Sequence, residues 1–534
     1  MKRIMEKSRS RKLGAVIFLI LVYILVLFRT AWVTEDAYIT FRPIENIVNG
    51  YGAVSNIGER VQVFTHPLWF LIQSLVFFIN QKCFGISFSE HLYFVNIFLS
   101  IALSLLLVVL YSFWLRWEKL DYAVLGLLLM VCSKAFMEYS TSGLENPLSH
   151  ILLLAFFTIY IREEALSPIR LFLLSLLASL AALNRFDLIL FTLPVLVMAL
   201  WRTQNKWRSM LWMSLGFSPL FTWIGFSLIY YGFIFPNTAY AKLYTGVTFT
   251  NKMKSAGYYY LESLIHDPVT VLAIIVILIS SLIQGKRKMI TATCGVCIYL
   301  LYIFYIGGDY MSGRFFSTPL LVAAVMLSKL HLPSRRVYAG LLAIIAALGL
   351  FMPRSPLFSP LDYGAGTYKY EVLFHGIADH RAQNFLFTGL MADRKEDAGS
   401  KHSGENWIWD ERSVEYIVRG PAGQQVYQWG PNVHLVDRNG LVDPLLARIP
   451  VIEKRRHGHF WRVVPDGYLE SLESGENKIV DPDLAEYYQH LSLIIHGPIF
   501  SRERMLEIWR FNIGYYDKYM MNYAARIENE LSGD

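Results

Sequence analysis

Long apolar runs recur through the first two thirds of the chain, and each one ends at a charged residue, Gly or Pro. A run of about 20 apolar residues can cross the roughly 30 Å hydrocarbon core of a bilayer as a helix. The pattern predicts about eleven spans, at residues 13–33, 92–114, 120–138, 147–162, 168–184, 185–201, 209–231, 269–285, 289–306, 316–330 and 337–352. Residues 353–534 contain no such run. We therefore predict a polytopic α-helical membrane region, residues 1–352, and a separate C-terminal domain, residues 353–534.

The apolar run at residues 66–80 is ambiguous, and the distribution of Lys and Arg decides its placement. If this run lies at the membrane interface, the basic N-terminus and the basic loops at 202–208 and 286–288 all face the cytoplasm, as the positive-inside rule requires. Residues 34–91 then form a first outer loop with interfacial helices. An odd number of spans places the C-terminal domain outside. The sequence thus predicts a multi-pass membrane protein with a cytoplasmic N-terminus and a C-terminal domain on the outer face.

Composition supports this division of the chain. Of 534 residues, 54% are hydrophobic and only 17% are charged, too few charges for the surface of a soluble protein of this size. The formal charge is +13 over residues 1–352 and −6 over the remainder. An excess of Lys and Arg in a membrane region reports its orientation, and the sequence contains no nucleic-acid-binding motif. Nucleic acid is therefore excluded as an expected partner.

The C-terminal region has mixed periodicity, which predicts a small α/β domain. Amphipathic helical stretches occur at 371–391 and 481–496, and β-like runs occur at 414–418, 425–429 and 459–464. Five aromatic residues in this region can either stack on the sugars of a glycan or pack in a core, and we favour the core for most of them. They are Trp407, Trp409, Tyr427, Trp429 and Trp461.

Two adjacent carboxylates, Glu35 and Asp36, follow the first predicted span directly. Like charges so close together tend to raise the pKa of one of them unless a cation intervenes. Such a pair suits a general base or a ligand of a divalent cation. The alternative is an ordinary interfacial acid pair that caps the first helix of the loop.

Four further outer segments place a charged residue within one turn of the end of a span. Taken singly, each of these residues can be a helix cap or a structural ion pair. Four on one face, together with the acid pair in the first loop, favour a site instead. The segments are Ser142–Pro147, Asn184–Asp187, Pro236–Lys242 and Gly307–Phe315.

At these motifs the sequence resembles the GT-C membrane glycosyltransferases, in particular the mycobacterial terminal β-(1→2)-arabinofuranosyltransferase family and its bacterial relatives. The first-loop pattern of that family is matched by Glu35-Asp36, Arg42, Asn46, Gly50, Gly52, Asn56, Gly58-Glu59 and Thr65-His66-Pro67-Leu68-Trp69. The resemblance runs from residue 34 to about 466, and residues 467–534 have no match. The first acid of the family is usually Asp, and because this chain has Glu35 there, the base is assigned to Asp36.

The resemblance implies an inverting glycosyltransferase that moves a sugar, arabinofuranose by analogy, from a polyprenyl-phosphate donor to a glycan or protein acceptor on the outer face. The donor is a lipid substrate, no cofactor is assigned with certainty, and a divalent cation at Glu35 and Asp36 stays open. The resemblance also implies a bacterial inner (plasma) membrane, with a periplasmic or extracytoplasmic C-terminal domain. Asp36 is expected to be the base, with Glu35 as its partner. Donor phosphate is expected at Lys242, Arg314, His66 and Arg42, and the sugar or acceptor at Glu145, Arg185, Asp187, Asn237 and Asp309.

Three alternatives remain at this stage. The chain can transfer a different lipid-linked sugar, transport or flip such a lipid, or serve as a scaffold that binds glycans. Transporters usually carry ionisable groups near the bilayer midplane and internal repeats. Here the centres of the spans are almost free of charge, no repeat is visible, and the acids cluster outside, which favours the enzyme. The sequence leaves the acceptor, the linkage and the oligomeric state open.

Overall fold

The computed structural model is mostly helical and describes residues 2–88, 90–115, 120–162, 167–243, 245–363, 373–392, 407–451, 453–456 and 459–532. Its helices up to residue 220 or so are α1 (Lys2–Thr30), α2 (Ala37–Val48), α3 (Pro67–Phe78), α4 (His91–Leu115), α5 (Leu120–Cys132), α6 (Lys134–Tyr139), α7 (Asn146–Ile161), α8 (Pro168–Asn184), α9 (Ile189–Arg202), α10 (Lys206–Gly216) and α11 (Ser218–Tyr230). The later ones are α12 (Asn237–Leu243), α13 (Phe249–His266), α14 (Pro268–Gln284), α15 (Arg287–Ile306), α16 (Ser317–Leu327), α17 (Arg335–Phe351), α18 (His380–Thr388), α19 (Gln424–Gln428), α20 (Tyr468–Ser474), α21 (Pro482–His496), α22 (Arg502–Asn512) and α23 (Asp517–Ser532).

In the part of the chain that the structure describes, strands are few and short, and they pair in twos. They are β1 (Leu373–Phe374), β2 (Ile377–Ala378), β3 (Glu415–Arg419), β4 (Val433–Asp437), β5 (Glu453–Arg456) and β6 (His459–Trp461). The β1–β2 and β5–β6 pairs are antiparallel, whereas β3 and β4 are parallel, in register from Glu415 opposite Val433 to Arg419 opposite Asp437.

The chain forms two compact units, and each is built from separated stretches of sequence. The first unit comprises residues 1–34, 93–220 and 249–396. The second comprises residues 35–92, 221–248 and 397–534. These compact units do not coincide with a single boundary at residue 352, and the assignment of residues 353–534 to an extracytoplasmic domain stays a prediction.

The predicted apolar runs are helical in the structure, and two of them are broken. The run 120–138 is interrupted at Ser133, whose hydroxyl caps α6 by accepting a hydrogen bond from the backbone N–H of Phe136 at 2.9 Å. The run 209–231 is divided between α10 and α11. Such breaks are invisible to a hydropathy pattern, because the residues on both sides remain apolar.

Within the described residues, fewer than eleven helices are long enough to span a membrane. Three described helical segments satisfy length and composition by themselves, at Arg9–Thr30, His91–Leu115 and Arg287–Ile306. Two bent helix pairs, α10 with α11 and α13 with α14, raise this number to five. Four shorter apolar helices complete the set, at Leu120–Cys132, Asn146–Ile161, Pro168–Asn184 and Arg314–Leu327. A polytopic helical membrane protein is therefore supported, whereas the count of eleven is not confirmed.

Small residues bring helices of the first unit into close contact. A Cβ atom on Gly295 of α15 would lie 2.3 Å from the backbone oxygen of Phe191 in α9. Beside this contact the rings of Phe191 and Tyr299 lie 4.2 Å apart. Glycine is required at such a position because any side chain would push the two backbones apart.

The second unit joins the first loop of the sequence to the C-terminal strands. All five residues of β4 are buried, and the side chain of Asn56 pairs with this strand as a backbone would. Its Nδ2 donates to the Leu435 oxygen at 3.0 Å, and its Oδ1 accepts from the Leu435 nitrogen at 3.0 Å. Asn56 therefore fixes the first loop against the sheet.

A buried arginine anchors the last helices of the second unit. Arg504 is fully buried, and its guanidinium donates to the oxygens of Ile494, Ile229 and Tyr230 at 2.7, 2.7 and 2.8 Å. The end of α11 is thereby tied to α21 and α22. These contacts pack the described part of the C-terminal segment, residues 467–532, into the second unit, although no family motif was matched there.

Two predictions for the C-terminal region need correction. The run 425–429 forms the helix α19 rather than a strand: the backbone nitrogen of Tyr427 donates to the Gly423 oxygen at 3.2 Å and that of Trp429 to the Gln425 oxygen at 3.1 Å, the bonds of a helical turn. The helix predicted over 371–391 is confined to α18, where the Asp379 side chain accepts from the backbone nitrogen of Ala382 at 2.9 Å. Of the remainder, 371–372 lie outside the described residues, and β1 and β2 form a hairpin. Helix 481–496 and the strands near 414–418 and 459–464 are confirmed as α21, β3 and β6.

Candidate active site

Five of the predicted site residues form one group of ion pairs in the first unit, with the buried carboxylate of Glu145 at its centre. Its Oε1 lies 3.1 Å from Arg185 Nη1 and 3.2 Å from Arg314 Nη2, so that two guanidinium groups share it. Arg185 also forms a bidentate pair with Asp187, at 2.5 and 2.9 Å. Arg314 Nη1 lies 3.7 Å from Asp309 Oδ2. We call these five residues the Glu145 cluster.

The two arginines of the Glu145 cluster also share an aromatic ring. The guanidinium carbon of Arg185 lies 4.6 Å, and that of Arg314 5.8 Å, from the centre of the Phe315 ring. Cations at this distance from an aromatic face are attracted by its quadrupole. The ring and the carboxylates together hold two positive groups close to one another despite their mutual repulsion.

Helix ends and glycines position the Glu145 cluster. Glu145 precedes α7, and Arg185 directly follows α8 in an extended conformation. The loop that carries Asp309 and Arg314 connects α15 to the turn before α16, and it contains two glycines with positive φ whose neighbours leave little space for a side chain. A Cβ on Gly308 would lie 2.7 Å from the Tyr259 side chain, and one on Gly313 would lie 3.0 Å from Ala135.

Uncharged polar side chains support this arrangement. Asn184 Nδ2 donates to the Glu145 backbone oxygen at 2.9 Å and to Ser149 Oγ at 2.8 Å. Asn146 Nδ2 donates to Ser317 Oγ at 3.1 Å, and that hydroxyl lies 3.2 Å from His150 Nε2. The ends of α7, α8 and α16 are thus connected by hydrogen bonds beside the Glu145 cluster.

The first unit contains a second buried ion-pair group, which was not predicted from the sequence. Lys134 Nζ lies 2.9 Å from Glu138 Oε2 and 3.1 Å from Asp379 Oδ2, and Arg354 Nη1 also lies 3.1 Å from that Asp379 oxygen. Burial raises the pKa of the Asp379 carboxyl, but the positive charges of Lys134 and Arg354 prevail and hold it at about 2. The signal was available, because Lys134 and Glu138 are an (i, i+4) pair of opposite charges within an apolar run.

The acid pair lies in the second unit at the start of α2. The backbone oxygens of Glu35 and Asp36 accept from the nitrogens of Tyr38 and Ile39 at 3.1 and 3.2 Å, which opens the helix. Both side chains are half-buried, and the Asp36 side chain makes no capping hydrogen bond to α2. An ordinary N-cap therefore does not explain Asp36, whereas the N-terminal end of the helix dipole favours a negative charge there.

A glycine gives the Glu35 side chain its space. A Cβ on Gly423, the residue before α19, would lie 2.4 Å from Glu35 Cγ. Any larger residue at position 423 would displace the Glu35 carboxylate. This contact restricts the position of the Glu35 side chain, and glycine itself adds no charge beside the acid pair.

Two predicted residues of the second unit are engaged within the protein fold. Arg42 is buried, and its guanidinium donates to the backbone oxygens of Ser55 at 2.8 Å, Val426 at 3.2 Å and Val433. His66 Nε2 lies 2.9 Å from Thr40 Oγ1, and its Nδ1 lies 3.4 Å from Thr65 Oγ1. A phosphate at Arg42 would have to displace backbone carbonyls, so we assign this residue a structural role.

Asn237 fastens α12 to the turn after β4. Its Nδ2 donates to the oxygens of Gly440 and Asp443 at 3.0 and 2.9 Å, and its Oδ1 accepts from Arg448 Nη1 at 3.1 Å. These hydrogen bonds occupy both the nitrogen and the oxygen of the Asn237 amide. A sugar hydroxyl that bound there would have to compete with them. Lys242, in the last turn of the same helix, is exposed.

The predicted residues thus fall into two groups. Glu145, Arg185, Asp187, Asp309 and Arg314 share contacts in the first unit, whereas Glu35, Asp36, Arg42, His66, Asn237 and Lys242 belong to the second. Among the described residues, no group of three or more His, Cys, Asp or Glu side chains is arranged to hold a metal ion. A shared pocket and a divalent cation at the acid pair remain predictions.

Comparison with known proteins confirms the resemblance noted in the sequence. The chain is 24% identical to the terminal β-(1→2)-arabinofuranosyltransferase of Mycobacterium tuberculosis, in an alignment of 522 residues that covers 82% of this chain and 81% of the relative. It is 23% identical to the terminal β-(1→2)-arabinofuranosyltransferase of Corynebacterium glutamicum, with 80% and 72% of the two chains covered. No protein-family model matches the chain.

Two solved structures are similar at low identity. One is the crystal structure of ArnT from Cupriavidus metallidurans bound to undecaprenyl phosphate, with 15% identity, a TM-score of 0.43, and 63% of this chain and 64% of that chain covered. The other is the Archaeoglobus fulgidus oligosaccharyltransferase tethered to an acceptor peptide, with 11% identity, a TM-score of 0.40, and 82% and 63% covered. The chain thus spans just under two thirds of the length of each solved structure.

Proposed function

We propose that the chain is an inverting membrane glycosyltransferase of the GT-C type that transfers arabinofuranose from a polyprenyl-phosphate donor to a glycan on the outer face of the membrane. The Glu145 cluster carries this proposal. Its five members come from three separate segments, each singled out by a motif of the arabinofuranosyltransferases, and ion pairs through Arg185 and Arg314 link them to one carboxylate. The similarity to two such transferases over four fifths of the chain supports the same conclusion.

The reaction forms one glycosidic bond and breaks one bond to phosphate. The oxygen of an acceptor hydroxyl attacks the anomeric carbon of the sugar while the bond from that carbon to the phosphate oxygen breaks on the opposite face, so the configuration inverts. The hydroxyl proton passes to a base, and polyprenyl phosphate leaves with one additional negative charge. The enzyme must therefore supply a carboxylate for the proton and cations for the phosphate.

Asp36 is proposed as the base and Glu35 as the residue that orients the acceptor. Asp36 suits this role because it is half-buried and is not used as a helix cap. Asp36 also lies at the N-terminal end of α2, where the helix dipole attracts negative charge. Gly423 keeps space beside Glu35.

Arg314, Lys242 and His66 are proposed to compensate the charge of the donor phosphate. Arg314 is held with its guanidinium between two carboxylates and a ring, which fixes its direction before the donor binds. Preorganised charge costs no rearrangement at the moment of reaction. Glu145, Arg185, Asp187 and Asp309 are proposed to position Arg314 and to meet sugar hydroxyl groups.

A lipid donor is consistent with the apolar helices of the first unit. A polyprenyl chain needs an apolar surface within the bilayer, while its phosphate must stay at the interface. We propose an inner-membrane location with the N-terminus in the cytoplasm and the C-terminal residues outside, and an acceptor that is a glycan of the cell envelope or a glycosylated protein. Transport of a lipid-linked sugar is the second candidate function, because it requires the same lipid recognition.

A donor panel tests the proposal. The purified full-length protein is incubated with an arabinofuranoside acceptor and, in parallel reactions, with polyprenyl phosphates carrying arabinofuranose, mannose or glucose. We expect the acceptor to gain the mass of one pentose only with the arabinofuranosyl donor, and nuclear magnetic resonance to show an anomeric configuration opposite to that of the donor. A hexose product would assign another sugar, and movement of the lipid across vesicles without any new glycosidic bond would assign transport.

A further inference from the structure

The second unit contains a cavity of about 870 Å³ that includes neither Glu35 nor Asp36 in its lining. Its walls come from the loop at residues 57–59, from β3 and β4 with the segment before β3, and from α20, α21 and the turn between them. Cavities of roughly 300–1,000 Å³ are the usual size of sites for small ligands. This one is large enough to admit more than a water molecule or an ion.

Aromatic rings provide a fixed apolar surface in this cavity. Trp409, Tyr416 and Tyr488 line it. The Tyr416 hydroxyl donates to the Leu472 oxygen at 3.0 Å, and the Tyr416 ring lies 4.8 Å from that of His434. Rings held in this way can pack against the C–H faces of sugar rings with little loss of conformational entropy.

A buried polar side chain without a hydrogen bond at one nitrogen also lines the cavity. His434 is 9% exposed, and among the described residues its Nε2 has no hydrogen-bond partner. The nearest carboxylate oxygen, Glu59 Oε2, lies 3.6 Å away, beyond hydrogen-bond distance. Burial lowers the pKa of His434 to about 3, so the ring is neutral at physiological pH. A neutral buried nitrogen of this kind gains a hydrogen bond when a hydroxyl group enters the cavity.

The charge of the lining selects among ligands. Four carboxylates line the cavity, those of Glu59, Glu411, Glu473 and Glu476, and its described lining includes no Lys or Arg. An anionic polysaccharide or a phosphate would meet like charges there, which costs binding free energy. Carboxylates are strong acceptors for the hydroxyl groups of a neutral sugar.

The geometry points to a second saccharide-binding site in the cavity lined by Trp409, Tyr416, His434 and Glu473, and we propose that it holds an uncharged stretch of the acceptor glycan away from the acid pair. Only the identification of the bound glycan as the acceptor rests on the proposed function. Part of the wall, at residues 471–477 and 488–496, lies in the segment that has no match to the family motifs. The site would thus make acceptor choice specific to this chain.

Binding of short oligosaccharides to the full-length protein in detergent tests this site, with isothermal titration calorimetry as the readout. We expect a neutral oligoarabinofuranoside to bind the wild type and an oligogalacturonate of the same length to bind at least tenfold more weakly. Trp409→Leu and Glu473→Gln should each weaken binding of the neutral ligand about tenfold, the loss expected when a ring contact or a charge-assisted hydrogen bond is removed. Glu470→Gln is the matched control, since Glu470 is exposed on the same helix α20 and does not line the cavity.

Transfer assays separate a failure of this inference from a failure of the proposed function. In an active transferase, Trp409→Leu and Glu473→Gln should keep wild-type turnover on a single-sugar acceptor and lose the lower KM that a longer acceptor provides. Unchanged oligosaccharide affinity in both variants, or preference for the anionic ligand, would overturn the second site while transfer persists. Binding that follows the expected pattern in a protein without transfer activity would preserve the site and reject the proposed function.

Discussion

At the scale of single residues, the Glu145 carboxylate is the centre of the first unit's candidate chemistry. The Arg185 and Arg314 side chains within 3.2 Å of its Oε1 are only 10% and 15% exposed, so removing its charge leaves two largely buried cations with less compensation. Breaking a buried ion pair by removal of one partner costs about 3–5 kcal/mol. A replacement that keeps the shape therefore isolates the charge.

We expect Glu145→Gln to lower the thermal unfolding midpoint of the detergent-purified protein markedly, and Asp309→Asn to lower it less. Asp309 is the suitable comparison because its distance to Arg314 is longer, 3.7 Å, and because the backbone nitrogen of Tyr310 can still donate to an amide oxygen at that position. Differential scanning fluorimetry measures both. Equal shifts for the two variants would show that Glu145 is not the carboxylate on which the cluster depends.

Glu45 provides a titration that can be followed in the second unit. Its carboxylate accepts from the Tyr427 hydroxyl at 3.0 Å. Burial raises the pKa of Glu45 from 4.5 to about 7, partly offset by Tyr427 and Lys82. The folded protein therefore holds this proton more tightly than the unfolded chain, and the stability associated with it is present below pH 4.5 and is lost as the pH rises through about 7.

Glu45→Gln should remove this pH dependence. The variant is expected to become progressively more stable than the wild type as the pH increases from 5 to 8. Over this range the wild type must either bury a negative charge or bind a proton at a pH where free protons are scarce, whereas Gln does neither. The difference between the two unfolding midpoints at each pH is the quantity to measure, with Glu528→Gln, an exposed acid on α23, as the control. A difference that stays constant over this range would contradict the assignment of Glu45 as a buried carboxyl with a raised pKa.

At the scale of helices and strands, the positions of apolar helices were largely predictable, and their breaks were not. The run 168–184 coincides with α8 because Pro168 and the Asn184–Arg185 step both interrupt a continuous apolar stretch. Ser133 interrupts α5 and α6 through a side-chain cap, a feature that depends on one hydroxyl rather than on hydropathy. The helix α13 was missed, since its polar surface gives it no membrane-like pattern.

The residues of the candidate active site were likewise predictable only in part. The motifs around Glu145, Arg185, Asp309 and Arg314 were recognised because charges at the ends of apolar runs are conspicuous. Lys134 and Glu138 were missed because they lie within such a run, where only their spacing signals a mutual ion pair. Arg42 and Asn237 were assigned to ligands because a sequence does not show which backbone carbonyls a side chain can reach.

The close packing of α9 and α15 at Gly295 predicts that alanine substitution at two different glycines has opposite effects on the unfolding midpoint. Gly295→Ala should lower the unfolding midpoint, because its methyl group would lie 2.3 Å from the Phe191 oxygen and force α9 and α15 apart, at a cost of about 1–3 kcal/mol. Gly257→Ala, in α13, meets no atom within 4 Å and should leave the midpoint unchanged or raise it, since alanine favours a helix by about 1 kcal/mol. Equal effects of the two substitutions would mean that α9 and α15 do not pack at this glycine.

At the scale of the whole molecule, the orientation in the membrane depends on the number of crossings. Helix length and composition support at least three spans within the described residues, five with the bent pairs, and four shorter apolar helices besides. An odd total places the two ends of the chain on opposite sides of the membrane. The charge of loops such as 202–208 predicts that the N-terminus is inside.

Reporter fusions in a bacterial host decide this orientation. Alkaline phosphatase fused after residue 534 should be active and green fluorescent protein at the same point should be dark, because the former folds outside and the latter inside. The reverse result is expected for fusions in the loop at 203–205. An active cytoplasmic reporter at the C-terminus would reject the odd number of spans and, with it, the outer location of the second saccharide site.

The account depends most on Asp36 as the base of a sugar-transfer reaction, and one comparison tests it directly. Wild type and Asp36→Asn are assayed side by side with polyprenyl-phosphoryl arabinofuranose and an arabinofuranoside acceptor, with product followed by mass spectrometry and protein quality by the unfolding midpoint. A general base typically contributes about 10²–10⁴-fold to the rate, so we predict a loss of turnover of that size with donor binding and the midpoint retained. Near-normal turnover of Asp36→Asn would contradict the account.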